Sequence, residues 1–418
     1  MLIRIENVAF EGPGVGRSNG LVVFVPFTLP GELVNTSAIE QKKNFGKATL
    51  LEVVEKSPSR VNPLCPYFSF CGGCQLQHSS YDNQTILKKK FVEDSLLRIG
   101  KISFPVPPIV PSPTPLAYRR HISLQLHFIE NAWKLCFTSL ELKPLPIQSC
   151  VLFHEENDLI LENLENSLAK FSSSMPLEGR LKIFKTLRGY IIACSLKKNI
   201  SAEEERSLSN AFLETAIGVY IQTPEKIIEK GDLELSFEYE NLKFYYSPFG
   251  FVQNHPKQTE NILDLIRLLL KDSKKILDLY CGIGASTLLL AKDQKEIIGV
   301  EISEESIFFA KKNSKENSLE HISFFCASAE TKTKELLSSF LPDSILVNPP
   351  KTGLDKEMRK LLDFQSIKQI VYVSCHPPTL ARDLSFLQTL GFTISSLQSF
   401  DCFPQTTHVE TVVNLKRE

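Results

Sequence analysis

Three cysteines lie close together in the stretch CPYFSFCGGC, at Cys65, Cys71 and Cys74. Their C-x5-C-x2-C spacing, with a glycine pair that frees the loop, is suited to holding a metal or a metal cluster through thiolate ligands. Zinc and iron–sulfur clusters both accept such ligands, and a group of buried, unligated thiols is the alternative. The spacing therefore predicts a metal or cluster site that needs a further ligand from elsewhere in the chain.

Two more residues that could take part in catalysis lie next to or within apolar runs in the last part of the chain. Cys375 follows the run IVYVS, where a thiol either packs in the core or faces a cleft as a nucleophile. The His-Pro-Pro that comes next favours the exposed thiol. Glu410 lies inside the apolar run HVETVV, where a carboxylate is costly unless it is paired or functional. A paired structural glutamate is the default interpretation of one such residue.

The stretch DLYCGIG places two glycines directly after an apolar run, and such glycines let a ligand approach the backbone closely. A dinucleotide site usually has a third glycine where this chain has Thr287, which weakens the case for a nicotinamide cofactor. Glu301, about twenty residues further on at the end of the next run, can accept both hydroxyls of a ribose. The pattern suits S-adenosylmethionine, with an ordinary turn and a solvated glutamate as an equal alternative.

A fourth candidate is Asn348 in the stretch ILVNPPKTGL. The Pro-Pro step that follows it ends a strand and exposes the Asn348 side chain toward the cleft. Several amino-group methyltransferases grip their target nitrogen with Asn-Pro-Pro followed by an aromatic residue, but here Lys351 follows. An amino-group methyltransferase is therefore an open alternative, beside a rigid turn with no further role.

The elements that must position these residues form a multidomain chain, because 418 residues exceed what one core usually organises. Short apolar runs and glycine or proline turns predict a small OB-like β-barrel at 1–56. Residues 57–240 contain the cysteine segment, a helix that stops at a glycine, a proline-rich connector and a mixed α+β pattern. Residues 241–418 alternate strand-length and helical runs, which predicts a mostly parallel, doubly wound Rossmann-like α/β sheet. Ligands of such sheets bind beyond the carboxyl ends of the strands.

Composition indicates an ordinary globular protein, with 43% hydrophobic and 23% charged residues. The formal net charge of -1 gives no electrostatic footprint of a nucleic-acid binder, and short basic runs such as LKKK and YRRH are more often solvated faces than phosphate contacts, so alone they decide nothing. The start of the chain is charged, and no run of eighteen apolar residues follows. We therefore expect no membrane segment, a cytoplasmic location, and a monomer because no heptad seam is present.

Four of these stretches together resemble the RNA 5-methyluridine methyltransferase family: CPYFSFCGGCQLQH, DLYCGIG, SCHPPTLARDL and DCFPQTTHVETVV. Members use S-adenosylmethionine to methylate uracil C5 in ribosomal or transfer RNA, and the resemblance covers nearly the whole chain. It implies a TRAM-like barrel, a central domain and a methyltransferase domain, in that order. It also implies that Cys375 adds to uracil C6 and that Glu410 removes the C5 proton, with the base turned out of its stack.

The same resemblance assigns four residues to the cofactor pocket: Gln253, Tyr280, Glu301 and Asn348. This chain departs from the usual family pattern at three positions. Asn348 opens NPPK where Asp and Arg are usual, Ala285 replaces an Asn, and His255 ends FVQNH where Asn is usual. The departures keep open a further alternative, an RNA-binding homologue without catalytic turnover.

In cluster-containing members, C-x5-C-x2-C and one distant cysteine hold a [4Fe-4S] cluster, which makes Cys150 in PIQSC the implied fourth ligand. The resemblance selects iron, and zinc stays the alternative. Because a cluster and a TRAM-like barrel together are features of the ribosomal members, 23S ribosomal RNA is the expected partner, with transfer RNA as the second. YRRH and the barrel are the first places to look for RNA contacts. The other cysteines are predicted to be packing residues: Cys136, Cys194, Cys281, Cys326 and Cys402.

Overall fold

The computed structural model describes residues 1–154, 156–171, 178–293 and 295–417, which form two compact units. The first unit consists of Met1–Leu87, Thr114–Leu233 and Phe403–Thr407. The second unit consists of Lys88–Pro113, Glu234–Cys402 and the chain from His408 onward. The chain therefore passes between the units more than once. The predicted domain boundaries after residues 56 and 240 stay predictions.

The first unit begins with a sheet of short strands. They are β1 (Leu2–Val8), β2 (Gly14–Ser18), β3 (Leu21–Val25), β4 (Leu33–Thr36), β5 (Glu40–Gln41), β6 (Gly46–Lys47) and β7 (Leu50–Glu55), in the order β5-β6-β3-β2-β1-β4-β7. Strand alternation buries Ile3 and Ile5 of β1 and leaves Leu2 and Arg4 exposed. The prediction of short strands in this part of the chain is confirmed.

A long helix follows the cysteine segment, as the sequence predicts. Helix α1 (Tyr81–Ser95) continues as a π-helical turn over Leu96–Gly100. Lys101 then adopts a left-handed φ of 57°, and its backbone N–H bonds to the carbonyl oxygen of Leu96. The predicted glycine stop is therefore confirmed at Gly100.

A second sheet in the first unit forms the central α+β part. Its strands are β8 (His121–Ile129), β9 (Ala132–Thr138), β10 (Pro144–Pro146), β11 (Gly179–Lys185), β12 (Tyr190–Leu196), β13 (Gly218–Gln222) and β14 (Ile227–Gly231), in the order β10-β9-β8-β11-β12-β13-β14. Helices α2 (Asn157–Ala169) and α3 (Ala202–Leu213) pack apolar residues such as Leu164 and Phe212 against this sheet. Helix α3 begins with a capping box between Ser201 and Glu204.

The second unit contains a hairpin and a seven-stranded sheet. The hairpin strands are β15 (Ser236–Tyr239) and β16 (Leu242–Tyr245), and the sheet strands are β17 (Lys275–Leu279), β18 (Glu296–Glu301), β19 (Ser323–Cys326), β20 (Ser344–Val347), β21 (Gln369–Ser374), β22 (Thr393–Phe400) and β23 (Glu410–Lys416). The helices are α4 (Pro256–Leu269), α5 (Ala285–Ala291), α6 (Glu304–Glu316), α7 (Ala329–Ser339), α8 (Lys356–Leu361) and α9 (Pro377–Thr389).

The sheet order β19-β18-β17-β20-β21-β23-β22 explains where a site can form. Strands β17 to β21 pair in parallel, so their carboxyl ends meet at one edge of the sheet. Strand β23 runs antiparallel to both β21 and β22. The start of β23 therefore lies at the same edge as the end of β21. The predicted mostly parallel sheet is confirmed.

The core of the sheet consists of the apolar runs that predicted its strands. Ile345, Val347, Ile370 and Tyr372 are fully buried, as expected for strands covered on both faces. Within the described ranges, no helix combines the length and the apolar character needed to cross a membrane.

Candidate active site and cysteine cavity

Cys375 and Glu410 lie together where β21 and β23 meet. Ser374 and Thr411 are the last partners in register of these two strands. Cys375 directly follows Ser374 and Glu410 directly precedes Thr411, so both lie at the same end of this strand pair, and the charge of Glu410 acts on the Cys375 thiol. The structure therefore brings together the two residues predicted to carry the chemistry.

Burial sets the acidity of both groups. Glu410 is 2% exposed, and among the described residues its Oε2 has no hydrogen-bond partner. Burial raises the pKa of the Glu410 carboxyl to about 8. Burial also raises the pKa of the half-buried Cys375 thiol to about 11, with a further upward contribution from Glu410 and an opposing one from Lys351. A carboxyl with a pKa near neutrality can take up and release protons at physiological pH.

Lys351 supplies a positive charge beside the Cys375 thiol, since its charge lowers the pKa of that thiol. Its Nζ lies 3.2 Å from Nε2 of His408. Its backbone carbonyl accepts a hydrogen bond of 3.0 Å from the Thr379 hydroxyl at the start of α9. In the sequence, Lys351 stands out only because it occupies the place of an aromatic residue, and His408 does not stand out. A signal for both residues was nevertheless present, because Lys351 directly follows the Asn-Pro-Pro stretch and His408 begins the His-Val-Glu stretch.

Asp383 ties the Asn-Pro-Pro loop to helix α9. This buried carboxylate accepts hydrogen bonds from the Leu354 backbone N–H and the Tyr372 hydroxyl, each 2.8 Å long. Arg382 donates to Asp383 and also to the carbonyl oxygens of Thr352 and Leu354. Together these bonds hold the loop that carries Lys351 against the helix that follows Cys375.

The glycine turn after β17 has room for a ligand on one side. Gly282 has φ +56°, and a Cβ built there meets no atom within 4 Å. A Cβ at Gly284 would instead come within 3.1 Å of the Phe324 ring, so Gly284 serves close packing. The Glu301 carboxylate accepts backbone N–H bonds from Gly282 at 3.2 Å and from Ser303 at 3.0 Å. Carboxylate oxygens keep further acceptor capacity, so Glu301 fits a ribose.

Three of the four predicted cofactor residues end neighbouring strands. Tyr280, Glu301 and Asn348 follow or end β17, β18 and β20, which are adjacent in the sheet. The Tyr280 hydroxyl donates to Glu330 at 3.4 Å, and burial raises the pKa of Tyr280. Asn348 is exposed, and its backbone N–H bonds to the carbonyl oxygen of Leu279. Gln253 is half-buried ahead of α4, and no hydrogen bond among the described residues joins it to the other three.

The four predicted cysteine ligands line one cavity of about 460 Å³ in the first unit. The loop of Cys65, Cys71 and Cys74 meets the Cys150 segment through Tyr67, whose hydroxyl accepts the Gln148 N–H at 2.8 Å. The Cys71 backbone forms a bridge with Ser139, and Cys150 donates its N–H to Asn157. The structure therefore brings together four thiols that are distant in the sequence.

Burial raises the pKa of three of these thiols: Cys71, Cys74, where it reaches about 12, and Cys150. The neighbouring thiolates add to this shift, and the guanidinium of Arg119 opposes it. In the described part of the chain, no three side chains of the His, Cys, Asp or Glu type are arranged to hold a metal ion.

Family models and a related protein both match this chain. Residues 224–418 match the family model for tRNA (Uracil-5-)-methyltransferase, and residues 1–51 match the TRAM domain. A protein from Protochlamydia amoebophila named as an uncharacterized RNA methyltransferase is 38% identical over 425 residues, which cover 99% of this chain and 96% of that protein. The chain belongs to the RNA (uracil-5-)-methyltransferase family.

A second relative and one solved structure also match nearly the whole chain. A protein from Halalkalibacterium halodurans, also named as an uncharacterized RNA methyltransferase, is 32% identical over 446 residues, with 99% of this chain and 96% of that protein covered. The crystal structure of the Pyrococcus abyssi tRNA (uracil-54, C5)-methyltransferase in complex with S-adenosyl-L-homocysteine is similar with a TM-score of 0.80. The two chains are 26% identical, and 99% of each is covered. The predicted RNA uracil-5 methyltransferase family and S-adenosylmethionine-dependent fold are confirmed.

One departure from the pattern of this RNA methyltransferase family, His255, has a structural explanation, and so does Thr287, which departs from the pattern of a dinucleotide site. His255 is the residue that caps α4, since its Nδ1 accepts the Gln258 backbone N–H at 3.4 Å, and its Nε2 lies 2.6 Å from the Ser112 hydroxyl. Thr287, which replaces the third glycine of a dinucleotide site, donates its hydroxyl to the buried Asp278 at 2.6 Å. Ala285 is the first residue of α5, and nothing in the structure explains why alanine stands there.

The expectation for one cysteine is wrong, and two basic runs differ from what such runs usually do. Cys326 is exposed at the end of β19 and is not a packing residue, unlike Cys136, Cys194, Cys281 and Cys402, which are buried. Lys88 in LKKK is not on a solvated face, because it is fully buried in an ion pair of 2.5 Å with Asp401. Tyr118 in YRRH is buried and Arg119 lines the cysteine cavity, so this run is not an open basic patch.

Proposed function

We propose that this RNA methyltransferase methylates C5 of a uridine through a covalent bond between Cys375 and C6 of the base. The observation that carries the proposal is that Cys375 and Glu410 lie together at the end of β21 and the start of β23. Uracil C5 is a poor nucleophile until a thiolate adds to C6 and pushes electron density to C5. A thiol and a buried carboxyl at one edge of the sheet are the two groups that this reaction needs.

The residues act in sequence on the base. The Cys375 thiolate adds to C6, and the negative charge spreads over C5 and the neighbouring carbonyl. Bound S-adenosylmethionine supplies the methyl group that C5 takes. The Glu410 carboxylate then removes the C5 proton, and the electron pair of that C–H bond restores the C5–C6 double bond as the Cys375 sulfur leaves. Lys351 favours the thiolate that starts and ends the reaction, since its charge lowers the pKa of Cys375.

We propose that the cofactor lies over the glycine turn. Support comes from the open space at Gly282 and from the carboxylate of Glu301 at the end of the adjacent strand. Glu301 accepts the ribose hydroxyls, and Tyr280 and Asn348 flank the methionine portion at the ends of β17 and β20. Gln253 completes the pocket in this proposal. A base in this site has left its stack, since the thiol cannot reach C6 within a helix.

We also propose a [4Fe-4S] cluster held by Cys65, Cys71, Cys74 and Cys150. The proposal is supported by the shared cavity of about 460 Å³ and by an all-thiolate donor set. A single zinc ion needs its sulfurs to converge on one point at Zn–S distances of about 2.3 Å. Four thiolates fit zinc and an iron–sulfur cluster equally well by number, and the family resemblance is what selects iron. Methyl transfer needs no electron, so the cluster serves structure or RNA positioning.

We propose 23S ribosomal RNA as the first substrate, because the family resemblance associates a cluster and a TRAM domain with ribosomal members. Transfer RNA is the second candidate, and a specific observation favours it: the similar Pyrococcus abyssi protein is a tRNA (uracil-54, C5)-methyltransferase. The cytoplasmic location and the monomeric state stay predictions of the sequence.

The test supplies methyl-labelled S-adenosylmethionine with unmodified 23S ribosomal RNA or unmodified transfer RNA, followed by nucleoside mass spectrometry. Protein purified without oxygen is compared with Cys375→Ala. Labelled 5-methyluridine from the wild type alone supports the proposal, and the RNA that carries the label identifies the substrate class. Label on adenine or on protein, retained in Cys375→Ala, would favour an amino-group methyltransferase acting through Asn348. Bound cofactor and RNA without any transfer would favour an RNA-binding homologue without turnover.

A further inference from the structure

Arg119 lies on the wall of the cysteine cavity. It lines the cavity together with Cys65, Cys71, Cys74 and Cys150. Its position is fixed by the backbone, since Ala117 and Arg119 donate N–H bonds of 2.9 Å to the carbonyl oxygens of Val151 and Leu152. The segment that carries Arg119 therefore runs alongside the residues that directly follow Cys150.

Arg119 brings a fixed positive charge to the wall of this cavity. Apart from the four thiols, the lining residues include Tyr67 and Arg119 but no Asp, Glu, Lys or His. No described carboxylate forms a salt bridge with Arg119, although most other arginines of the chain have one. A half-buried guanidinium without an anion is costly, because it has lost part of its hydration and gained no opposite charge.

An iron–sulfur cluster held by four thiolates would supply the missing anion, since the four negative sulfurs outweigh the positive charge of the core. Arg119, which already has a side-chain hydrogen bond with Tyr118, then gains an anionic partner as well. The arrangement also explains why an arginine follows the buried Tyr118 in a run that otherwise looks like a surface patch. Hydrogen bonds and charges around a cluster tune its stability and potential.

We propose that Arg119 is the counter-ion of the four-thiolate cage, a positioning residue whose charge helps the protein to retain the cluster. The inference rests on the cluster proposed above and goes beyond it, because it assigns a role to a residue that is not a ligand. Removal of the charge makes the cage more negative than its surroundings can compensate. The cluster is then released more readily, and its reduction, which adds negative charge, becomes harder.

The experiment measures iron and acid-labile sulfide per chain, the rate of iron release to a chelator, and the midpoint potential followed by electron paramagnetic resonance. Full-length wild type is compared with Arg119→Gln, Arg119→Lys and Arg206→Gln, all prepared and reconstituted without oxygen. Arg206 is exposed on α3 of the same unit, so Arg206→Gln makes the same chemical change away from the cavity. Circular dichroism checks that every variant is folded.

We expect Arg119→Gln to release iron on the order of tenfold faster than the wild type and to have a lower midpoint potential. Arg119→Lys, which keeps the charge, should restore most of the retention, and Arg206→Gln should match the wild type. Equal retention and potential in wild type and Arg119→Gln would overturn the counter-ion role while leaving the cluster intact. Equal loss in Arg119→Lys and Arg119→Gln would also overturn it, because shape and not charge would then matter. A wild type that holds zinc or no metal would overturn the cluster and this inference with it.

Discussion

Cys375 and Glu410 flank the Ser374–Thr411 pair, the last pair in register between two antiparallel strands. The order of strands is what creates this relationship. Had β23 run parallel to β21, Glu410 would lie at the far edge of the sheet. Because β23 runs antiparallel to β21, its first residue, Glu410, lies at the edge of the sheet where the parallel strands end.

The first prediction concerns trapping of the covalent adduct. Incubated with S-adenosylmethionine and RNA that contains 5-fluorouridine, the wild type should form a complex that survives denaturing electrophoresis, because fluorine at the methylated C5 cannot leave as a cation. Cys375→Ala should form none. Glu410→Gln should accumulate the adduct even with ordinary uridine, since the C5 proton stays in place. Absence of any adduct in the wild type, with cofactor and RNA bound, would argue against Cys375 as the nucleophile.

The second prediction concerns stability and pH. Burial raises the pKa of Glu410 to about 8, so the folded state holds this proton more tightly than the unfolded state. Stability is therefore fully present below the unfolded pKa of about 4.5 and is lost as the pH rises toward about 8. Glu410→Gln carries no charge at any pH and should gain on the wild type by on the order of 2 kcal/mol between about pH 5 and about pH 8.

Thermal denaturation of both proteins across this pH range measures that difference. Glu165→Gln is the matched control, because Glu165 is partly exposed and pairs with Lys134. A constant gap in Tm between the wild type and Glu410→Gln would mean that the carboxyl is ionised at all these pH values in the folded protein.

The third prediction concerns Lys351. Its charge lowers the pKa of Cys375, so Lys351→Met should raise that pKa and shift the rise of kcat with pH to higher pH. We expect a loss of about threefold to tenfold at neutral pH, with the rate recovering at alkaline pH. Lys351→Arg should keep the charge and most of the rate. Lys356→Met, a change at an exposed residue of α8, is the control.

Initial-rate kinetics at several pH values separate this role from a structural one. A Lys351→Met enzyme that is slowed equally at every pH would indicate that the lysine positions the loop and does not act on the thiol.

The fourth prediction concerns the cap of α4. His255→Ala removes both the acceptor for the Gln258 N–H and the contact with Ser112, and should lower the free energy of unfolding by about 1 to 2 kcal/mol. His255→Asn should lose less, because asparagine is a good helix cap. Urea denaturation provides the measurement, and His321→Ala at an exposed histidine provides the control. Similar stability of the alanine and asparagine variants would show that capping is not what His255 contributes.

Much of the second unit can be predicted from the sequence because its strands are long apolar runs between helical segments. KKILDLY, EIIGVEI and QIVYVS each became a parallel strand. The same patterns did not predict that Lys88 is buried against Asp401, since a basic run with periodic charge is normally solvated. Nor did they predict that Cys326 is exposed, because a cysteine at a strand end has no local signal for burial.

The sequence by itself determined the family, the order of the parts and the identity of the residues that can do chemistry. These depend on short motifs and on the period of apolar residues, which are local properties. Only the tertiary structure decided that Glu410 lies beside Cys375 with no partner for its Oε2 among the described residues, that Lys351 acts on the same thiol, and that Arg119 lines the cysteine cavity. Such relationships depend on strand order and on which charges share a buried space, and no local pattern in the chain encodes them.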